Sequence, residues 1–80
     1  MKKEEIFNVL KSEIADKAGI HENEVELKSN WVDDLALDSL DHLEFIQFCE
    51  KRFDIHISDD VAEKAEIVQD FVNIVYNIIN

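Results

Sequence analysis

The sequence contains no proline, one glycine and one cysteine among its 80 residues. A lone cysteine excludes an internal disulfide and any cysteine-rich zinc site. No apolar run approaches the roughly 18 residues of a membrane-spanning helix. The first residues, Met1-Lys2-Lys3-Glu4-Glu5, predict the start of an amphipathic helix and not the apolar core of a signal peptide. We therefore expect a cytoplasmic protein.

Basic residues are also scarce, with 8 Lys and Arg against 19 Asp and Glu, for a formal net charge of -11. Between residues 33 and 60, nine acids accompany only Lys51 and Arg52. Such a surface repels nucleic acid and anionic lipid, and it attracts basic protein partners. A role of the acidic residues in solubility would explain the sign of the net charge, but it would not explain why so many of them lie between residues 33 and 60.

Hydrophobic residues make up 46% of the chain, which is enough for a packed core. The length predicts one small domain over residues 1–80. Apolar residues recur at helical spacing in four stretches, at about 3–18, 39–53, 59–65 and 67–79, and no pair of strands has a hairpin signal. The pattern predicts an all-α fold, a four-helix up-down bundle with a short third helix.

Residues 20–37 form a long connection after the first helix, which Lys17 and Gly19 are expected to end. Gly19 is the only glycine, so it is the one position where a left-handed backbone has little cost. Connections of this length are usually pinned or functional. We expect the apolar residues of this segment to pin it over the helices: Ile20, Val25, Leu27, Trp31, Val32 and Leu35.

The second predicted helix has two apolar faces. Phe45, Ile46, Cys49 and Phe53 cluster on one side, which we assign to the core. The other side consists of Leu40, Leu43 and Gln47, flanked by Glu44 and Glu50. This second face is either a wider core contact or an exposed interaction strip, and the sequence alone leaves both interpretations open.

Ser39 is predicted to occupy the first position of this helix. Asp38 is a good N-cap, and Asp41 follows three residues later, as in a capping box. Ser39 is then exposed between two acids, and a phosphate attached to its hydroxyl would meet the helix N-terminus. Serine is common near helix starts, so position alone leaves an ordinary structural role open.

Two other chemistries can be rejected from the spacing of the side chains. Asp33 and Glu44 stand at the first and twelfth positions of a possible EF-hand loop, but leucines occupy ligand positions and Asp38 stands where glycine is needed. Asp38, Ser39 and His42 all lie at one end of one helix. This arrangement cannot place a base beside the serine and an acid behind the base, as a hydrolytic triad requires. The sequence thus predicts a protein without catalytic residues.

His42 has two possible roles. It could join Asp38 in a weak divalent metal site, because the two residues share a helix face. Otherwise we expect it to be a solvated histidine whose charge depends on pH. Cys49 faces the predicted core and is expected to act as a small buried hydrophobe.

The string Asp38-Ser39-Leu40-Asp41, with Leu35 before it and Glu44 after it, resembles the D-S-L phosphopantetheine attachment site of acyl carrier proteins of the bacterial type II fatty acid synthesis kind. The resemblance extends along most of the chain. It includes the lead-in segment 30–35, the helix exit at residues 50–55, and the stretches 59–64 and 68–70.

This resemblance implies a four-helix carrier whose Ser39 receives 4′-phosphopantetheine from coenzyme A through a dedicated transferase and magnesium, with Asp38 contacting the metal during transfer. The thiol of the arm would hold acyl chains as thioesters for enzymes of fatty acid or related lipid biosynthesis. The carrier is expected to be a monomer. The resemblance also implies a docking surface for basic patches on these enzymes, formed by Leu40, Asp41, Leu43, Glu44, Gln47, Asp59, Asp60 and Glu63. It implies an acyl pocket lined by Phe45, Ile46, Cys49, Ala62 and Ala65.

Several positions depart from the usual pattern of the family. Ala36-Leu37 stand where a glycine commonly precedes the D-S-L, and Ala65 replaces a bulky aliphatic residue. Lys51-Arg52 reverse charges that are often acidic. These departures leave open whether the carrier serves general fatty acid synthesis or a specialised lipid or polyketide pathway. A plain acidic helical interaction module, with no modification, is the remaining alternative.

Overall fold

Four α-helices follow one another along the chain in the computed structural model, which describes residues 1–80: α1 (Lys3–Ala18), α2 (Ser39–Phe53), α3 (Asp59–Glu63) and α4 (Val68–Ile79). A short 3-10 turn, Glu22–Glu24, interrupts the long connection after α1. The predicted all-α fold with a short third helix is confirmed. None of the helices combines the length and apolarity that a bilayer crossing requires.

The core lies where the apolar faces of α1, α2 and α4 meet. Each of these helices contributes side chains three or four residues apart, because that spacing places them on one side of a helix. Burying a side chain of this size stabilises the fold by roughly 1.5–3 kcal/mol. The side chains with essentially no exposure are Ile6, Leu10, Ile14, Phe45, Cys49, Val68, Phe71, Val72 and Val75.

The predicted boundaries hold for α1 and α2, and α1 ends at Gly19 in the left-handed conformation, with φ 71°. The third helix ends earlier than expected, at Glu63 and not near Ala65. The amides of Lys64 and Ala65 bond to carbonyls three residues back, 3.3 Å and 3.2 Å away, so the chain tightens and leaves the helix there.

The long connection is pinned partly as predicted and partly by its backbone. Val25, Trp31 and Leu35 are buried, but Val32 is 64% exposed and Leu27 is 37% exposed, so these two assignments were wrong. Val32 points outward because the Asn30 side-chain oxygen accepts the amide of Val32 at 3.0 Å and begins a turn there. Ile20 is only half-buried.

Backbone hydrogen bonds join this connection to the start of α4. The first amides of a helix lack partners within it, and here loop carbonyls accept them: Val68 donates to Ser29 at 3.0 Å and Gln69 donates to Leu27 at 2.8 Å. Trp31 in turn donates its amide to the carbonyl of Glu66 at 2.9 Å. Leu27 thus fastens the loop through its carbonyl and not through its side chain.

The left-handed conformation also occurs at two residues that the sequence did not indicate, Ala36 with φ 55° and Asp54 with φ 54°. A side chain with a Cβ is disfavoured there, at a cost of roughly 1–2 kcal/mol for alanine. Ala36 lies just before α2, where glycine commonly stands in the family that the sequence resembles.

We therefore expect Ala36→Gly to raise the free energy of unfolding by about 1 kcal/mol, measured by urea denaturation. Gly19→Ala is the reciprocal control, because a Cβ at Gly19 would meet nothing within 4 Å and the change isolates the backbone cost. It should lower stability by a similar amount. A lower stability of Ala36→Gly would contradict the proposed strain.

Candidate functional site

The N-terminus of α2 is held by the predicted capping box. The amide of Asp41 donates to Asp38 Oδ1 at 2.9 Å, and the amide of Asp38 donates to Asp41 Oδ2 at 3.1 Å. The bond from the Asp41 amide lowers the pKa of the Asp38 carboxyl below its ordinary value. Asp38 is thus ionised at neutral pH, and Ser39 is exposed at the first helical position.

Two clefts adjoin Ser39. The first, here called the loop cleft, has a volume of about 450 Å³, and its wall includes Trp31, Asp38, Ser39, His42 and Ala65. The second, here called the α2–α3 cleft, has a volume of about 180 Å³ and is lined by Ser39, His42, Leu43, Ile46, Asp59, Ala62 and Glu63. A group attached to the Ser39 hydroxyl therefore has two recesses within reach.

An aromatic cluster lies beneath the start of α2. The ring centroid of Trp31 is 5.1 Å from that of Phe45, 5.0 Å from that of Phe71 and 5.8 Å from that of His42. The indole Nε1 donates a long bond, 3.4 Å, to the carbonyl of Asp38. Tilted aromatic pairs at these separations are stabilising beyond their buried area. Trp31 therefore ties the loop, α2 and α4 together directly below the N-cap.

His42 belongs to this cluster, so the expectation of a solvated side chain was wrong. Its ring packs edge-on against Phe71 with a centroid distance of 5.3 Å, and its Nε2 is buried without a hydrogen-bond partner. Burial lowers the pKa of His42 from its ordinary value near 6.5, and the backbone carbonyl of Ala62, which can accept from the protonated imidazole and favours that form, opposes this only in part. The neutral imidazole is therefore the form that fits the folded protein.

The lowered pKa of His42 predicts a loss of stability on acidification. Below pH 6.5 the His42 side chain is protonated in the unfolded chain but stays neutral in the folded chain. Its contribution to the free energy of unfolding therefore falls with the pH until the folded chain is protonated as well. The unfolding free energy of wild type relative to His42→Gln should decrease as the pH falls through 6.5 into the acid range. His21→Gln, at an exposed side chain that takes part in none of the ion pairs, is the control. Parallel pH profiles for wild type and His42→Gln would contradict this account.

The second face of α2 is open to solvent. Leu40 is 62% exposed and Leu43 is 54% exposed, and Gln47 is also exposed. The wider core contact is therefore wrong, and an exposed apolar strip remains. Asp59, Asp60 and Glu63 of α3 are exposed as well. The use of these side chains for partner binding stays a prediction.

Glu44 already has a partner within the chain. Lys17 Nζ, near the end of α1, donates to Glu44 Oε1 at 2.9 Å, and the Lys17 side chain is only 15% exposed. This bond to Glu44 raises the pKa of Lys17 above its ordinary value. Nothing in the sequence indicates this contact, because the two residues are 27 positions apart and only helix packing brings them together.

The residues expected to line an acyl pocket divide into two groups. Ile46 and Ala62 line the α2–α3 cleft, and Ala65 lines the loop cleft, although it lies after α3 and not on it. Phe45 and Cys49 are fully buried and line none of the five principal cavities. Burial raises the pKa of the Cys49 thiol to about 12, so Cys49 is an unreactive core residue.

No group of three or more His, Cys, Asp or Glu side chains is arranged to hold a metal ion. Of the two carboxylate oxygens of Asp38, Oδ1 accepts the Asp41 amide. The other oxygen, Oδ2, can therefore offer one ligand to an ion whose other ligands come from elsewhere. Its contact with magnesium during arm transfer stays a prediction.

Comparison with known proteins gives a consistent result. Residues 8–75 match the family model described as a phosphopantetheine attachment site. The chain is 44% identical over 68 residues to an acyl carrier protein of Clostridium acetobutylicum, covering 85% of this chain and 88% of that one. It is 47% identical over 66 residues to an acyl carrier protein of Karelsulcia muelleri, covering 82% and 80%. A solved acyl carrier protein from Enterococcus faecalis superposes with a TM-score of 0.83 at 32% identity, covering 98% and 99%.

Proposed function

Because the chain belongs to the acyl carrier protein family, we propose that Ser39 is the residue to which its phosphopantetheine arm is attached. The protein is an acyl carrier and not an enzyme, and its cofactor is 4′-phosphopantetheine. The thiol of the arm, once attached, holds acyl chains as thioesters. The single observation that carries the site assignment is the exposed Ser39 hydroxyl at the first position of α2, inside the D-S-L string.

The surroundings of Ser39 fit a covalent phosphodiester and not a bound phosphate. The N-terminus of α2 favours negative charge, but the carboxylates of Asp38 and Asp41 lie within the same turn and oppose it. In the transfer, the Ser39 oxygen would bond to the phosphorus that carries pantetheine, while the bond from that phosphorus to the bridging oxygen of the diphosphate breaks and the nucleotide part of coenzyme A leaves. The serine proton would pass to a base on the transferase. Asp38 would bind the magnesium ion at the edge of this reaction.

The two clefts provide places for the attached group. We assign the loop cleft, beside Trp31 and His42, to the arm, and the α2–α3 cleft, with Ile46 and Ala62 in its wall, to the first part of an acyl chain. Ala65 lies in the wall of the loop cleft and widens it, because a bulky aliphatic side chain would fill that space. Phe45 and Cys49 are buried in the core, so they would contact an acyl chain only if that chain entered the core and displaced the side chains packed there.

Acyl carriers interact with acyl-handling enzymes, and we propose that this chain does so through the docking surface defined above. The exposed Leu40 and Leu43 offer apolar contact, and the acids around them attract basic residues. A net charge of -11 opposes self-association, which supports a monomer. The pathway we propose is fatty acid or related lipid biosynthesis, and the cytoplasmic location stays a prediction.

The proposal is tested by the intact mass of the protein after incubation with coenzyme A, magnesium and a phosphopantetheinyl transferase. The expected product carries one arm and no more. The matched control omits coenzyme A. An unchanged mass with a transferase that loads another acyl carrier would contradict the attachment and favour the unmodified interaction module.

A further inference from the structure

We propose that Lys17 is a specificity-determining residue of the docking surface, which removes Glu44 from the carboxylates available to basic partners and directs those partners toward α3. This inference rests on the proposed function, because it assumes that the docking surface meets acyl-handling enzymes. It concerns a residue outside the attachment motif, on a different helix from the one that carries Ser39.

The ion pair between Lys17 and Glu44 is the shorter and the less exposed of the two lysine–carboxylate pairs in the structure. Its atoms are 2.9 Å apart, and the Lys17 side chain is 15% exposed, whereas that of Glu44 is 53% exposed. The charges of Glu13 and Asp41 also act on Lys17 and favour its charged form. The pair between Lys28 and Glu26 differs in both respects, with a separation of 3.6 Å and a lysine that is 85% exposed.

The consequence for a partner is local. A basic side chain approaching the middle of α2 meets a carboxylate whose charge is already balanced and an ammonium that repels it. It must share the second oxygen of Glu44 or displace Lys17. Asp59, Asp60 and Glu63 are exposed and take part in none of the three ion pairs of the structure, so they attract the same side chain without competition.

The test measures the KM of a phosphopantetheinyl transferase for the protein chain at saturating coenzyme A and low ionic strength. We expect Lys17→Gln to lower KM by about two- to fivefold, which corresponds to the strength of exposed ion pairs, with kcat unchanged. The difference should disappear at high salt. Lys17→Arg should restore the wild-type KM, because arginine can pair with Glu44.

Two controls separate this role from simpler ones. Lys28→Gln removes the same charge away from Glu44 and gives the effect of net charge alone. Combining Lys17→Gln with Glu44→Gln restores the net charge of wild type, so the KM of this double variant should return to the wild-type value. A purely structural role of Lys17 would lower the melting temperature and leave KM at the value of Lys28→Gln, and that result would overturn the inference. If wild type, Lys17→Gln and Lys28→Gln are all loaded with the same KM, only the role of Lys17 is contradicted. If none of these proteins is loaded, the proposed function itself is contradicted.

Discussion

Replacing Ser39 with alanine is expected to abolish covalent loading completely while the protein stays folded. The hydroxyl of Ser39 is the only acceptor proposed, and the capping of α2 depends on Asp38 and Asp41 and not on this side chain. Intact mass after the transferase reaction should show no added arm. Circular dichroism and thermal melting should match those of the wild-type protein.

Ser58→Ala is the matched control for this experiment. Ser58 is also exposed and also stands at the start of a helix, as the residue before α3, where it is followed by two acids, Asp59 and Asp60. Its side chain makes no capping bond. Loading of this variant should equal that of wild type. If Ser39→Ala still gains the mass of an arm, the attachment residue has been misassigned, and the remaining exposed serines become the candidates.

Truncating Trp31 to alanine should produce the largest loss of stability among the substitutions considered. The indole is 4% exposed and contacts Phe45, Phe71 and His42, so alanine would leave a cavity at the junction of the loop, α2 and α4. Such changes lower the free energy of unfolding by about 3 to 5 kcal/mol. That is a large part of the roughly 5–15 kcal/mol by which domains are stable.

Urea denaturation followed by circular dichroism measures this loss. Val32→Ala is the neighbouring control, because Val32 is 64% exposed and its truncation should change stability by less than about 0.5 kcal/mol. Trp31→Phe keeps part of the ring contact and should fall between the two. Equal midpoints for Trp31→Ala and Val32→Ala would show that the aromatic cluster does not hold the loop.

The helices were predictable where local signals agree. Apolar periodicity runs unbroken through α1 and α2, and Gly19 and Asp38 supply the end and the start. The end of α3 was not predictable from the sequence, because no glycine or proline marks it and its tightening depends on weak bonds of Lys64 and Ala65. The exposure of Val32 depends on a turn set by the Asn30 side chain, which a count of apolar residues does not detect.

The attachment site was predictable in its local part only. The capping box and the exposure of Ser39 follow from four consecutive residues. The packing of His42 against Trp31 and Phe71 joins three distant parts of the chain, and helical periodicity indicates a face without naming its neighbours. The pairing of Lys17 with Glu44 is of the same kind, because it requires the position of α1 against α2.

Trp31 has one more consequence, which concerns how the carrier can be observed. It is the only tryptophan in the chain, and it lines the same cleft as Ser39. Its emission comes from a single place in the molecule, and a group that enters the loop cleft changes the solvent and the polarity beside the indole. Fluorescence of the unlabelled protein should therefore report occupancy of the loop cleft, and the spectrum should distinguish an arm held against the protein from one that extends into solvent.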